Sequence, residues 1–444
     1  MNRTLALGAL AATLALARGA AAAPKELGLN VHQSTDVGLD VTKAANLRWV
    51  RIDVNWFQAE PAPGTYDWAL LDQVVDGAKA RGLSVLAVLA YTPAWASQAN
   101  VDGKETLNDV PKAGTYASFV TAAVTHFAGR VTHYELWNEP NLGQFFEGTS
   151  ADYTSRILVP GADAVHAACA SCKVVAPGIA SLAVSKYDEW LDATLTAAMP
   201  KIDVVSGHVY AGFPQDGAGG TSDNFYQRLE KHRVVKVGDV VAYEGPRAFK
   251  EVMDAHGAKQ PFWLTETGLE GALGDAPALA AQTKFYRRVL ESMLTRGWWT
   301  NTIFYEAFDE SSQPYRYGVA LHGSGAAFTE KPVMALLRQA TSKQLLFGGN
   351  GTDCEDGLDN EGDGKIDFPA DPDCASVTST SEGAPPVDAG TGDDAGDVDA
   401  GTSTDGGGGC SMGGRPGATG AATLALAFVL LRVRRRRLSA RRGS

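Results

Sequence analysis

Two glutamates stand in settings that leave a carboxylate free for chemistry. Glu139 lies in Trp137-Asn138-Glu139-Pro140-Asn141, directly after Val131-Thr132-His133-Tyr134-Glu135-Leu136, a run that reads as a strand. Proline has no N–H to give a sheet ladder, so Pro140 is expected to end that strand. The ending leaves an acid, an amide and an indole at one strand mouth. Glu266 lies in Trp263-Leu264-Thr265-Glu266-Thr267-Gly268, at the end of another apolar run. A lone strand-end glutamate most often faces solvent. Two that converge can divide a reaction: a protonated carboxyl assists departure of a glycosidic oxygen, and an ionised one attacks the anomeric carbon. The chemistry in prospect is cleavage of a sugar acetal.

For the two to converge, both strands must open onto one mouth. Between Leu27 and Leu346 the chain alternates strand-like and helix-like segments. Strands are expected at residues 27–32, 47–54, 84–90, 131–137, 173–177, 202–208, 261–265 and 302–305. Ser84 to Ala90 is almost wholly apolar, as a strand covered on both faces should be. A helix is expected after Asp67 as N-cap, with Leu71, Val74, Val75 and Ala78 on one face and Gly82 at its end. Others are expected over 116–127 and 282–294. Eight strand–helix units specify an α/β fold, a (β/α)₈ TIM barrel, with Glu139 after strand four and Glu266 after strand seven at the same mouth. A doubly wound open sheet is disfavoured because no Gly-rich phosphate fingerprint follows strand one.

Composition bounds the rest. The 444 residues carry a net charge of −12, with 45% hydrophobic residues and nine Trp. Sixteen acids and one base, Lys365, fall between Gly349 and Gly409, and eight arginines and no acid after Cys410. The remaining body is mildly acidic, which argues against nucleic acid as a partner. Residues 1–23 read as a signal peptide: Arg3, an apolar run from Leu5 to Leu16, then Ala20 to Ala23. Export follows, and disulfides become possible. The barrel is assigned to residues 24–348.

Residues 349–374 read as a small acidic module. Asp359, Glu361, Asp363 and Asp367 offer oxygen ligands, with Gly364 where a tight turn belongs, as in half an EF-hand loop. Cys354 and Cys374 bracket it as a disulfide staple, so structural calcium is expected in 353–374; the plain alternative is a solvated acidic linker. Residues 375–409, rich in Asp, Gly, Ser and Thr, read as a disordered tether. In 410–444, Cys410 precedes an apolar stretch from Ala418 to Val433 and then four arginines, Arg434 to Arg437. That order reads as an anchoring tail, marginally short for a permanent transmembrane helix. Cys169 and Cys172 form a Cys-x-x-Cys without redox context, read as a local disulfide or two buried thiols.

The strand order, Asn-Glu-Pro after strand four and a Glu after strand seven resemble clan A of the glycoside hydrolases. Trp-Asn-Glu-Pro-Asn with Thr-Glu-Thr-Gly most resembles family 39 and related bacterial exopolysaccharide hydrolases. The resemblance implies a retaining, double-displacement hydrolase of a β-linked polysaccharide or glycoside, with no cofactor for catalysis. Glu139 matches the acid/base and Glu266 the nucleophile, with carboxyls about 5–5.5 Å apart. Asn138 matches the residue that bonds the sugar hydroxyl beside the anomeric carbon. Arg51 matches an arginine near the nucleophile; a structural ion pair with Asp53 or a loop acid is the alternative. His208 and Tyr210, two apart after strand six, match sugar- or nucleophile-contacting positions. Trp56 and Trp95 are the expected stacking subsites, with His32, Tyr305 and Glu306 as further substrate contacts. Many clan members carry a Trp after strand eight, where this chain has Phe304-Tyr305-Glu306. The acidic module resembles cysteine-bounded repeats of myxobacterial surface proteins, and the tail a myxobacterial sorting signal with processing at Cys410. Together these imply export to the cell surface or outer membrane, with attachment to the membrane through the tail; the chain is expected to be a monomer. A non-catalytic carbohydrate-binding adhesin and a transglycosylase are the rival readings.

Overall fold

The computed structural model describes residues 25–98, 107–182, 185–212, 225–237, 240–310 and 313–341. The segments expected to be a signal peptide, an acidic module with Asp359, Glu361, Asp363, Asp367, Cys354 and Cys374, a tether, and a tail with Cys410 lie outside the described residues. Among the described residues, no helix is long and apolar enough to cross a membrane.

Eight parallel strands form the barrel: β1 (Glu26–Asn30), β2 (Trp49–Asn55), β3 (Ser84–Ala90), β4 (His133–Leu136), β5 in two pieces (Lys173–Val175 and Ile179–Ala180), β6 (Val205–His208), β7 (Phe262–Thr267) and β8 (Trp299–Phe304). Each pairs with its sequence neighbour, and β1 also pairs with β8. The seam between β5 and β6 is closed by the Val175–Val204 bridge and by Ile179 and Ala180 against Gly207 and His208. The ring is therefore complete, and every strand is followed by a helix. Two insertions interrupt this regularity. An antiparallel hairpin, Arg233–Val237 with Val240–Glu244, follows β6. A small three-stranded sheet, Phe308–Asp309, Ala320–His322 and Phe328–Glu330, follows β8.

Strand alternation explains what faces where. In β2, Val50, Ile52 and Val54 pack outward into the main core beneath the helices. Trp49, Arg51 and Asp53, the alternate positions, point into the barrel. The inside of the ring thus has an apolar layer of Trp49, Leu86, Val175, Val204, Trp263 and Ile303, and above it a charged one.

The helix over Ala69–Ala80 buries the four expected residues and ends before Gly82, whose φ of 73° suits glycine. Its N-cap is Trp68 rather than Asp67, although the Asp67 carboxylate accepts from the Ala69 N–H at 3.1 Å. The helix over Thr115–His126 matches expectation, and that before β8 starts earlier, at Ala276, capped by Asp275. β4 stops at Leu136, four residues before Pro140. What ends it is Trp137, in the left-handed region at φ 86°. Cys169 and Cys172 are joined by a disulfide in the turn before β5.

Candidate active site

Glu139 leaves β4 through a strained turn. Its own φ is 44°, a conformation that costs about 1–3 kcal/mol for a residue with a Cβ. The turn is held by the Glu139 N–H, which donates to the Gly178 carbonyl at 2.9 Å. Trp137 fixes the other side: its indole is fully buried, and its N–H donates to the Phe145 carbonyl at 3.0 Å. The effect is to turn the Glu139 side chain over the barrel mouth. Glu266 arrives at the same place from β7, whose register against β6 and β8 shifts next to it.

One imidazole joins the two acids. Nδ1 of His208 lies 2.8 Å from Glu139 Oε1 and 3.0 Å from Glu266 Oε2. An oxygen of each carboxylate and the ring nitrogen all fall within 4.8 Å of one another. His208 is completely enclosed, and its Nε2 is buried without a partner among the described residues. The ring lies against Gly178, where a Cβ would come within 2.0 Å of Nε2. Only glycine allows that approach, and Gly178 is also the residue that holds the Glu139 turn. The three side chains could in principle cage a cation, but a guanidinium already occupies one side of Glu266.

That guanidinium is Arg51. Its Nε donates to Glu135 Oε2 at 2.6 Å, Nη1 to Asn30 Oδ1 at 3.0 Å and to Glu266 Oε1 at 3.4 Å, and Nη2 to Asn138 Oδ1 at 2.9 Å. Arg51 and Glu135 are 3% and 0% exposed, so this is a buried ion pair. Such a pair is stable only when its remaining hydrogen-bonding positions are satisfied. Here they are: the other Glu135 oxygen accepts from Thr265 Oγ1 at 3.0 Å and Ser206 Oγ at 3.4 Å. The alternative partner for Arg51, Asp53, bonds His32 Nδ1 instead at 2.9 Å. Asn138 is fixed from both ends, since its Nδ2 also donates to the Tyr91 hydroxyl at 3.1 Å.

A second cluster borders the first. His32 places Nε2 3.3 Å from Glu306 Oε2, so the imidazole is bracketed by Glu306 and Asp53. The Tyr305 ring meets His32 edge-on at 5.6 Å.

The environment separates the two acids. Burial and the nearby charge of Glu266 raise the Glu139 pKa, while His208 and Arg51 only partly oppose this. Burial also works against ionised Glu266, but His208, Arg51 and His32 overcome it and bring its pKa down to about 2. Burial opposes a charge on His208 too, and the two carboxylates outweigh it, raising the imidazole to about 9. His32 rises to about 10 against its own burial, through Asp53 and Glu306.

Arg51, Asn138, Glu139, His208, Tyr210, Glu266, His32, Tyr305 and Glu306 thus gather at one mouth; the Tyr210 phenol is raised by burial and then by the charge of Glu266. Trp56 does not join them. Its ring is wholly buried, stacks on Phe119 at 5.2 Å and donates to Glu60, so it offers no face to a sugar. Its position directly after β2 suggested a rim, but the short helix Trp56–Ala59 turns it under the barrel wall. Trp95 is half-buried against Trp56 and donates to the Glu60 carbonyl at 2.9 Å. Trp137, Phe145 and Phe146 are core. Sequence reasoning missed Glu135 and Asn30, and gave Asp53 only as an alternative partner for Arg51. The alternation of Glu135 with His133 and of Asp53 with Arg51 was the available signal, because both acids had to point into the barrel.

Comparison with known proteins agrees with this architecture. A family model described as beta-galactosidase, glycoside hydrolase family 42, matches residues 31–124, ending before Glu139. A family 39 glycoside hydrolase from the gut symbiont Bacteroides cellulosilyticus WH2 superposes with a TM-score of 0.52 at 19% identity, covering 73% of this chain and 64% of its own. The chain thus spans less than two thirds of that enzyme. The exo-beta-1,4-mannosidase Op5Man5 from Opitutaceae bacterium strain TAV5 superposes with a TM-score of 0.50 at 16% identity, over 72% of this chain and 59% of its own. The fold shared with these two structures is the (β/α)₈ TIM barrel.

Proposed function

We propose that the chain is a retaining glycoside hydrolase acting on β-linked sugars. The reading rests on one observation. Two carboxyls within 4.8 Å of a shared imidazole and of each other are driven in opposite directions, Glu139 up and Glu266 down. The nearest oxygens of the two acids lie closer than the about 6.5–9.5 Å that inverting enzymes keep between their carboxyls to admit a water, which favours retention.

In the first step Glu139, protonated, gives its proton to the glycosidic oxygen as the C1–O bond breaks. Glu266 attacks C1 from the other face and forms a glycosyl ester. In the second, Glu139, now a carboxylate, takes a proton from water, whose oxygen attacks C1 as the ester bond breaks. Glu139 ends protonated and Glu266 ionised. Arg51 holds Glu266 ionised and fixes Asn138, which is placed to bond the hydroxyl beside C1. His208 positions both acids. The barrel would act outside the cell, exported by its first 23 residues and tethered by its C-terminal tail.

Glu266→Ala tests the reading. Release of reducing sugar from a β-polysaccharide panel should fall by at least about a thousandfold. Equal release from wild type and variant would defeat hydrolysis by this site. Proton NMR of the first product should show the β-anomer; the α-anomer would overturn retention.

A further inference from the structure

The site has no tryptophan after β8, yet it has an aromatic wall built another way. Tyr210 follows β6, Tyr305 follows β8, and Tyr317 stands just before the Ala320–His322 strand of the small sheet inserted after β8. Their ring centroids form a near-even triangle: 6.4 Å from Tyr210 to Tyr305, 5.9 Å from Tyr210 to Tyr317 and 5.9 Å from Tyr305 to Tyr317. The rings meet edge to face, at 76°, 80° and 70°. All three residues are half-buried.

Their hydroxyls set them apart from Tyr116, Tyr153 and Tyr91. Tyr116 donates to the Leu89 carbonyl, Tyr153 to the Leu136 carbonyl, and Tyr91 accepts from Asn138. Among the described residues none of the three hydroxyls in the triangle has a partner, and none is sealed from solvent. A phenol group on a core tyrosine usually finds a hydrogen bond. Tyr210 and Tyr305 lie close enough to Glu266 to feel its charge, and Tyr317 extends their surface outward, so three open phenols on one wall can meet a polar ligand that also has an apolar face, which describes a pyranose ring.

Tyr317 is also held with unusual firmness for a residue on an insertion. The Lys331 ammonium lies 2.7 Å from Asp309 Oδ2, with both side chains almost wholly buried. The other Asp309 oxygen accepts the Gly318 N–H at 2.7 Å. Gln282, from the helix after β7, donates to the Tyr317 carbonyl at 3.3 Å. Behind the wall, Gly268 lets the chain pass: a Cβ there would sit 2.3 Å from the Tyr305 carbonyl oxygen and 3.3 Å from the Tyr317 ring. A rigid platform loses little entropy when a sugar settles on it.

We propose that Tyr317, with Tyr210 and Tyr305, forms the sugar-binding wall of the cleavage subsite, and that Tyr317 contacts the substrate directly. The inference rests on the proposed glycosidase reading for the identity of the ligand. It is tested by two readouts: calorimetric titration with xylotetraose and cellotetraose, and kcat and KM on 4-nitrophenyl β-xyloside and β-glucoside. Tyr317→Ala should raise the dissociation constant and KM about tenfold, equivalent to about 1.4 kcal/mol, with kcat nearly constant. Tyr317→Phe, which keeps the ring and the fold, should lose about threefold. Unchanged binding and KM in both variants would overturn the wall. So would a fall confined to kcat, or one that follows a drop in melting temperature, since these mark a structural role. Glu266→Ala separates the two ideas. If it binds oligosaccharide like wild type and Tyr317→Ala does not, the wall stands even where wild type shows no turnover. Wild type that neither binds nor cleaves any probe overturns the wall along with the glycosidase reading.

Discussion

The inside of the barrel holds two layers that obey opposite rules. In the lower, Trp49 and Trp263 meet at 4.9 Å among Leu86, Val175, Val204 and Ile303, and stability comes from area removed from water. In the upper, only a few residues further along the same strands, Arg51, Glu135, Glu139, His208 and Glu266 are packed nearly as tightly. Burial there disfavours every charge, so each group persists only through its partners. The difference teaches that the lower layer is tolerant and the upper one is not. An apolar neighbour can shift to fill part of a gap, whereas a buried ion without its counter-ion has no such remedy.

The sharpest test removes Glu135. Glu135→Ala leaves buried Arg51 with only the longer 3.4 Å contact to Glu266 as counter-charge, a change expected to cost about 3 kcal/mol. It also frees the guanidinium from the geometry that fixes Asn138 and Glu266, so kcat should fall about a hundredfold in protein that still folds. Chemical denaturation and kinetics at one low temperature would measure both. A stability loss without a kinetic one would mean that the upper layer is merely structural.

Next comes the lower layer. Trp49→Ala should cost about 3 kcal/mol. Its kcat, measured well below the new melting temperature, should match wild type, because no group at Trp49 touches the reacting acids. A large kinetic effect would erase the distinction between the layers.

The smallest change in stability but the most telling in pH is His208→Phe. The imidazole is the leading influence that holds Glu266 down, so its loss moves the acid limb of kcat/KM from about 2 toward the ordinary value of about 4.3. It also lowers Glu139, so its loss moves the basic limb up. Both limbs should shift to higher pH. An acid limb that stays in place would show that Arg51 alone keeps Glu266 ionised.

Much of this was legible beforehand because it is written in short-range pattern. The eight strands follow from runs such as Ser84 to Ala90, and the two glutamates stand out because each follows such a run. Misreadings arose where side-chain direction depended on a turn. Trp56 and Asp53 both sit near the end of β2, yet a short helix buries one and strand alternation places the other beside His32. Glu135 was overlooked because a glutamate inside an apolar strand has no local explanation; its reason is Arg51, on a different strand.

The sequence by itself determined the barrel, the pair Glu139 and Glu266, and the absence of a tryptophan after β8, since periodicity and residue identity need no knowledge of distant contacts. The tertiary structure alone decided that the surroundings drive the two carboxyls in opposite directions, what pairs with Arg51, and that three tyrosines from separate segments form one surface. Those properties depend on burial and on charges acting across a few ångströms of space, and such distances exist only once the ring of strands has closed.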